Sequence, residues 1–100
     1  MPTKLVVDRA WIADFCRRHH VQELALFGSA LRDDFGPDSD IDLLIEFAPD
    51  AQVSLFDFVR LRDELSAFFG REVDLVEKRG LRNPFRRREI LATAETLYAA

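Results

Sequence analysis

Two short apolar runs, at residues 24–27 (Leu-Ala-Leu-Phe) and 41–45 (Ile-Asp-Leu-Leu-Ile), flank a segment that opens with Gly28-Ser29 and closes with Asp40-Ile41-Asp42. No other feature limits the fold as strongly. Each run has the length of a strand, and turn-forming residues lie between them. A short helix over 30–35, closed by Gly36-Pro37, fits the intervening stretch. Gly28 and Ser29 then lie where a strand ends and a helix starts, so unpaired backbone N–H groups there can meet a phosphate. Asp40 and Asp42 are i and i+2 on the second strand, which points both carboxylates to one face. Their Cα atoms should stand roughly 6.6 Å apart. Two carboxylates so placed suit a hard, oxygen-seeking cation such as magnesium.

The remaining elements follow from periodicity and caps. Asp8 caps a helix running to about His20, with Ile12, Phe15, Cys16 and His19 on one side and Trp11 beside them. Residues 23–27 form the first strand. The second, 41–47, shows Ile41, Leu43, Ile45 and Phe47 on one face and Asp42, Leu44 and Glu46 on the other, with Asp40 just ahead of it on that second face. Ser54 and Asp57 form a capping box for a helix that Gly70 ends. Its apolar side is Leu55, Phe58, Val59, Leu65, Phe68 and Phe69. Residues 72–76 form a third strand. Asn83-Pro84 suit the N-cap and first position of a last helix whose core face is Ile90, Leu91, Ala94, Leu97 and Tyr98. This alternation of helices and strands predicts an α/β arrangement, helices packed on a small sheet. Periodicity alone leaves the strand directions open.

With 100 residues, the expectation is one domain over 1–100 with a core that needs no staples. A lone cysteine, Cys16, excludes an internal disulfide and fits a reducing compartment. It reads as a buried apolar residue rather than a nucleophile. No apolar stretch is long enough to span a bilayer, and the first residues do not make a secretory signal, so a cytoplasmic protein away from membranes is expected. A net charge of −4 argues against direct nucleic-acid binding. That charge is uneven: seven basic residues (Arg71, Lys78, Arg79, Arg82, Arg86, Arg87 and Arg88) lie between 71 and 88. Arg86-Arg87-Arg88 reads either as a solvated helix face or as a surface for nucleotide phosphates or an acidic partner. Asp33, Asp34 and Asp38 read as solvated charges, and His19 and His20 as the end of the first helix, satisfying its last carbonyls.

Gly28-Ser29, ten residues, then Asp40-x-Asp42, with Arg32 three residues after the serine and Ser39 ahead of the first aspartate, resembles the signature of the DNA polymerase beta superfamily of nucleotidyltransferases. Within it the chain is most similar to the minimal nucleotidyltransferase (MNT) domains. The resemblance implies the nucleotidyltransferase fold, an α+β arrangement with a small mixed sheet and flanking helices. It also implies a third carboxylate on a later strand beside the first two. Asp74, inside an apolar strand, fits that role. Its other reading is a solvent-facing residue on an exposed sheet edge. By the same resemblance Asp40, Asp42 and Asp74 are the catalytic and metal-binding residues, and Gly28, Ser29, Arg32 and Ser39 bind nucleotide. Arg32 also reads as the partner of a neighbouring carboxylate.

The resemblance further implies a magnesium-dependent enzyme that moves AMP from ATP and releases pyrophosphate. Small MNT proteins are antitoxins of HEPN toxins and transfer AMP to a tyrosine of the toxin, so a HEPN-domain partner in a hetero-oligomer, or a homo-oligomer, is expected. With only one more helix expected after Asp74, an acceptor site supplied by another protein is the expectation. Two alternatives stand beside it: a non-catalytic subunit that neutralises a HEPN partner by binding, and transfer to a small molecule such as an aminoglycoside.

Overall fold

The structure, a computed structural model, describes residues 7–28 and 39–100. The expected helix over 30–35, Ser29, Arg32, Asp33, Asp34 and Asp38 lie outside the described residues. The elements are α1 (Arg9–Arg18), β1 (Val21–Phe27), β2 (Ile41–Phe47), α2 (Leu55–Phe69), β3 (Val73–Glu77), α3 (Pro84–Thr93) and β4 (Glu95–Ala99). A 3-10 turn, Lys78–Gly80, follows β3.

Local chemistry accounts for most of the boundaries. Asp8 accepts from the N–H groups of Ala10 and Trp11, both at 3.1 Å, and so caps α1. The Ser54 hydroxyl accepts from the Asp57 N–H while the Asp57 carboxylate accepts from the Ser54 N–H, each at 3.1 Å. This is the expected capping box of α2. Gly70 closes that helix with a φ of +67°, a left-handed conformation that glycine adopts without a Cβ penalty. Asn83 caps α3 through Phe85 and Arg86, with Pro84 in its first turn.

The strands form one mixed sheet in the order β3-β2-β1-β4. β1 pairs antiparallel with both β2 and β4, and β2 pairs parallel with β3. A parallel neighbour needs a crossover, and α2 supplies it. The sheet separates two unequal cores. On one face Ile41, Leu43, Ile45 and Phe47 of β2, Leu24 and Leu26 of β1 and Leu97 of β4 pack with Ile12, Phe15 and Cys16 of α1 and Leu61 and Leu65 of α2. Trp11 stacks on Phe68 across this layer, with ring centroids 3.8 Å apart. On the other face a smaller group forms from Ala25, Phe27, Leu44, Leu81 and Ile90, under α3.

Two expectations need correction. The last helix does not run to Tyr98: Ala94 leaves it with ψ 139°, and residues 95–99 are β4. Ile90, Leu91, Ala94, Leu97 and Tyr98 fit a helical stripe, but β1 would then expose an edge of unpaired N–H and C=O groups. Pairing with β4 satisfies that edge and still buries Leu97, while Leu91 is exposed. The apolar side of α2 is also only partly as expected: Phe58, Leu65, Phe68 and Phe69 pack on the core, but Leu55 and Val59 do not. Leu61 and Leu65 are buried, whereas Leu55 is 79% exposed beside Phe56, and Val59 is exposed as well. Among the described residues no helix is long and apolar enough to cross a membrane.

Candidate active site

The smaller face carries the site. Asp42 follows the first residue of β2, and its i+2 neighbour Leu44 is buried under α3, so Asp42 points to that face. Asp74 holds the equivalent place in β3, and its i+2 neighbour Val76 packs against the same group. Parallel pairing sets Asp42 directly opposite Asp74. Adjacent strands place such Cα atoms about 4.8 Å apart, with both side chains on one face. Asp40 lies two residues before Asp42, directly ahead of β2. One end of one face thus brings Asp42 and Asp74 side by side, with Asp40 two residues upstream of Asp42 in the chain. β3 is a sheet edge and Asp74 is exposed on it, and the residue is also the register neighbour of Asp42.

Gly28 completes this end. It follows the last residue of β1, whose Phe27 pairs with Asp42. Its φ is +65°, and a Cβ built on it would overlap the Asp42 carboxylate and stand 3.2 Å from Asp42 Cγ. Glycine is required here twice, once by the backbone and once by the carboxylate against it. Ser39 is tied down as well: Arg71, at the approach to β3, donates through Nη1 to the Ser39 carbonyl at 3.4 Å. The Glu72 carbonyl accepts from the Ile41 N–H at 3.0 Å, so the mouths of β2 and β3 are fastened on either side of Asp40.

The donor set is all carboxylate oxygen, the chemistry that magnesium takes. The Asp42 carboxylate occupies the space that a Cβ at Gly28 would fill. Among the described residues no three acidic, His or Cys side chains converge as a ready ligand shell, so strand register, not a closed cluster, makes the fit.

Arg71 was legible only as one of seven basic residues, and the structure divides that group. Lys78 pairs with Glu23 at 2.7 Å. Arg79 donates to the Phe47 carbonyl at 3.4 Å and Arg87 to the Lys78 carbonyl at 3.0 Å. Arg86 instead lines a cleft of about 240 Å³ with Phe27, Gly28, Glu89, Ile90 and Thr93. Residues 86, 89, 90 and 93 are one stripe of α3. Other candidates drop out. Burial pushes the Cys16 thiol up to about 12, against a small opposing effect of Arg17, so it is no thiolate nucleophile. His19 meets Glu64 of α2 at 3.2 Å instead of the last carbonyls of its helix, on the far side of the sheet.

Comparison with known proteins agrees with this geometry. Residues 9–95 match the family described as "Nucleotidyltransferase domain". Protein adenylyltransferase MntA of Thermococcus cleftensis is 39% identical over 66 residues, which are 66% of this chain and 65% of that protein. A solved structure provisionally described as a minimal nucleotidyltransferase superposes with a TM-score of 0.70 at 36% identity, covering 86% of this chain and 85% of the other. The MNT antitoxin side of a Shewanella oneidensis complex is more distant. That solved structure, of a tri-AMPylated HEPN toxin with its MNT antitoxin, gives a TM-score of 0.63 at 20% identity, over 92% of this chain and 70% of that one. At that identity the likeness is one of fold.

Proposed function

This chain belongs to the nucleotidyltransferase domain family, and from that premise we propose that it transfers AMP from ATP to a HEPN-domain toxin, acting as its antitoxin. The observation that carries the proposal is the register of Asp42 on Asp74 with Gly28 against the Asp42 carboxylate. The names of its relatives supply the acceptor class. MntA of Thermococcus cleftensis is a protein adenylyltransferase, and the Shewanella oneidensis MNT protein is found with an AMPylated HEPN toxin. In this reading the acceptor group is a tyrosine hydroxyl and the reaction is cytoplasmic.

In the proposed reaction the acceptor oxygen bonds to the α-phosphorus as the bond to the β-phosphate bridging oxygen breaks. The bonding pair leaves with pyrophosphate. Asp40, Asp42 and Asp74 would hold magnesium, which supplies charge neutralisation at the phosphates and the attacking oxygen. Asp74, on the edge strand and open to a partner, accepts the proton of the incoming hydroxyl. The Gly28 N–H and the Ser29 hydroxyl hold the β- and γ-phosphates, with Ser39 and Arg32 supporting the nucleotide. Arg71 fixes the Ser39 peptide and so the approach of Asp40. The protein contributes positioning and preorganised charge, with no covalent intermediate.

Intact-mass spectrometry of the HEPN partner, after incubation with this protein, ATP and magnesium, tests the proposal. The expected result is mass steps of one AMP unit, absent with Asp42→Asn at unchanged circular dichroism. A partner that is silenced in a tight complex with no mass change would overturn it in favour of a non-catalytic binding subunit.

A further inference from the structure

The cleft between α3 and Gly28 is lined by none of the three carboxylates, yet it shares with their site Gly28, which lies against Asp42. Its floor is apolar, from Phe27 and Ile90. Its polar groups are Arg86, Glu89 and Thr93, all from α3, and the Gly28 backbone. The Thr93 hydroxyl is already committed, donating to the Glu89 carbonyl at 3.0 Å. Arg86 differs from most of its basic neighbours. Lys78, Arg79 and Arg87 are spent on structural contacts. The Arg86 side chain forms no hydrogen bond or ion pair among the described residues, and it is exposed. Its backbone is fixed all the same, because its N–H donates to the Asn83 cap at 3.2 Å. A guanidinium held at the root and unspent at the tip, facing a glycine turn, is suited to a phosphate chain.

We propose that Arg86 grips the triphosphate of the donor nucleotide from the side of the cleft opposite Gly28. The assignment rests on the nucleotidyl-transfer reading and adds a binding residue to it. The glycine turn offers N–H donors from the sheet and Arg86 offers a charged planar fork from α3. As the bond between the α-phosphorus and the bridging oxygen breaks, negative charge collects on the departing pyrophosphate, and the guanidinium meets it there. Glu89 shares the cleft, so its ionised side chains sum to zero and it does not attract anions in general. The location of Arg86, not the net charge of the cleft, selects the ligand.

Isothermal titration calorimetry with magnesium–ATP and with AMP, on the wild type, Arg86→Ala, Arg86→Lys and Arg88→Ala, tests the proposal. Arg86→Ala keeps the helix cap, which uses the backbone, and alanine favours the helix. Losing charge-assisted bonds to phosphate should weaken ATP binding by about tenfold or more. AMP binding should stay within about twofold, Arg86→Lys should fall between, and Arg88→Ala should match the wild type. Equal loss for ATP and AMP, or no loss for either, overturns the role of Arg86. A wild type that binds no ATP overturns the nucleotidyl-transfer reading itself, so the two failures are distinguishable.

Discussion

Replacing Gly28 with alanine tests the geometry of the site at its tightest point. The substitution has two costs that can be separated. The first is conformational, since a residue with a Cβ at a φ of +65° is disfavoured by about 1–2 kcal/mol. The lower entropy of the unfolded alanine chain offsets this by about 0.4–1 kcal/mol. The second cost is local, because the new methyl overlaps the Asp42 carboxylate. Asp42 must rotate away, at about 0.5–1.5 kcal/mol for an off-rotamer side chain. Gly70→Ala is the matched control: its φ is +67° and nothing lies within 4 Å of the added methyl. Gly70→Ala should therefore lower stability by about 1 kcal/mol, with a fall in Tm of roughly 4–8 °C, and leave transfer intact. Gly28→Ala should lose about 1 kcal/mol more. It should also reduce AMP transfer by about a hundredfold, the penalty for a reacting group displaced by about 1 Å. Thermal unfolding and initial rates of partner modification read both effects. If the two alanine variants match in stability and in rate, the contact between Gly28 and Asp42 is not what positions the carboxylate, and the reasoning fails.

Other predictions concern the framework. Leu97 is buried in β4 while Leu91 is exposed on α3. Leu97→Ala should cost about 2–5 kcal/mol in a denaturant melt and Leu91→Ala less than about 1 kcal/mol; similar costs for the two would argue for a continuous helix. Hydrogen bonds from Ser54, its backbone N–H first, hold the Asp57 carboxyl below the usual carboxylate range. A depressed folded pKa contributes stability that is present above the unfolded pKa and lost as pH falls through the folded one. The stability difference between wild type and Asp57→Asn should thus be constant above about pH 5 and shrink below about pH 4. A difference that is flat or widens in acid contradicts the capping box.

The parts legible in the sequence are those governed by local chemistry. Asp8, Ser54, Asp57, Gly70 and Asn83 each mark a helix end through a bond to a near neighbour, Pro84 marks one through its fixed φ, and each end lies where those residues predict it. The alternation Ile41, Leu43, Ile45, Phe47 against Asp42, Leu44 gives the two faces of β2 without further information. What the sequence hid depends on distant partners. β4 exists because β1 has an open edge, and the residues that fill it also satisfy a helical period. Leu55 has an apolar side chain at a helical position, yet it stays exposed, and only tertiary packing decides that. The register of Asp42 on Asp74 spans the α2 crossover, and no local pattern specifies which strand ends beside which. Within the basic group, only tertiary packing separates Arg71, Arg79 and Arg87, which hold backbone carbonyls, from Arg86 in the cleft.

The unequal cores explain how a small chain keeps a charged site without undermining its fold. The larger group, between the sheet and helices α1 and α2, buries Ile12, Phe15, Leu24, Leu26, Leu43, Ile45 and Leu65 and supplies most of the apolar burial. The smaller group under α3 rests on Ala25, Phe27, Leu44, Leu81 and Ile90. The like charges of Asp42 and Asp74 are therefore set side by side on the face that contributes least. The same arrangement couples ligand to fold. A nucleotide held between the Gly28 turn of the sheet and Arg86 of α3 would tie the more weakly packed layer to the strongly packed one, and a ligand that binds only the folded state adds about 2.7 kcal/mol at a hundred times its Kd. Stability gained that way is concentrated in α3, the element whose packing on the sheet rests chiefly on Ile90.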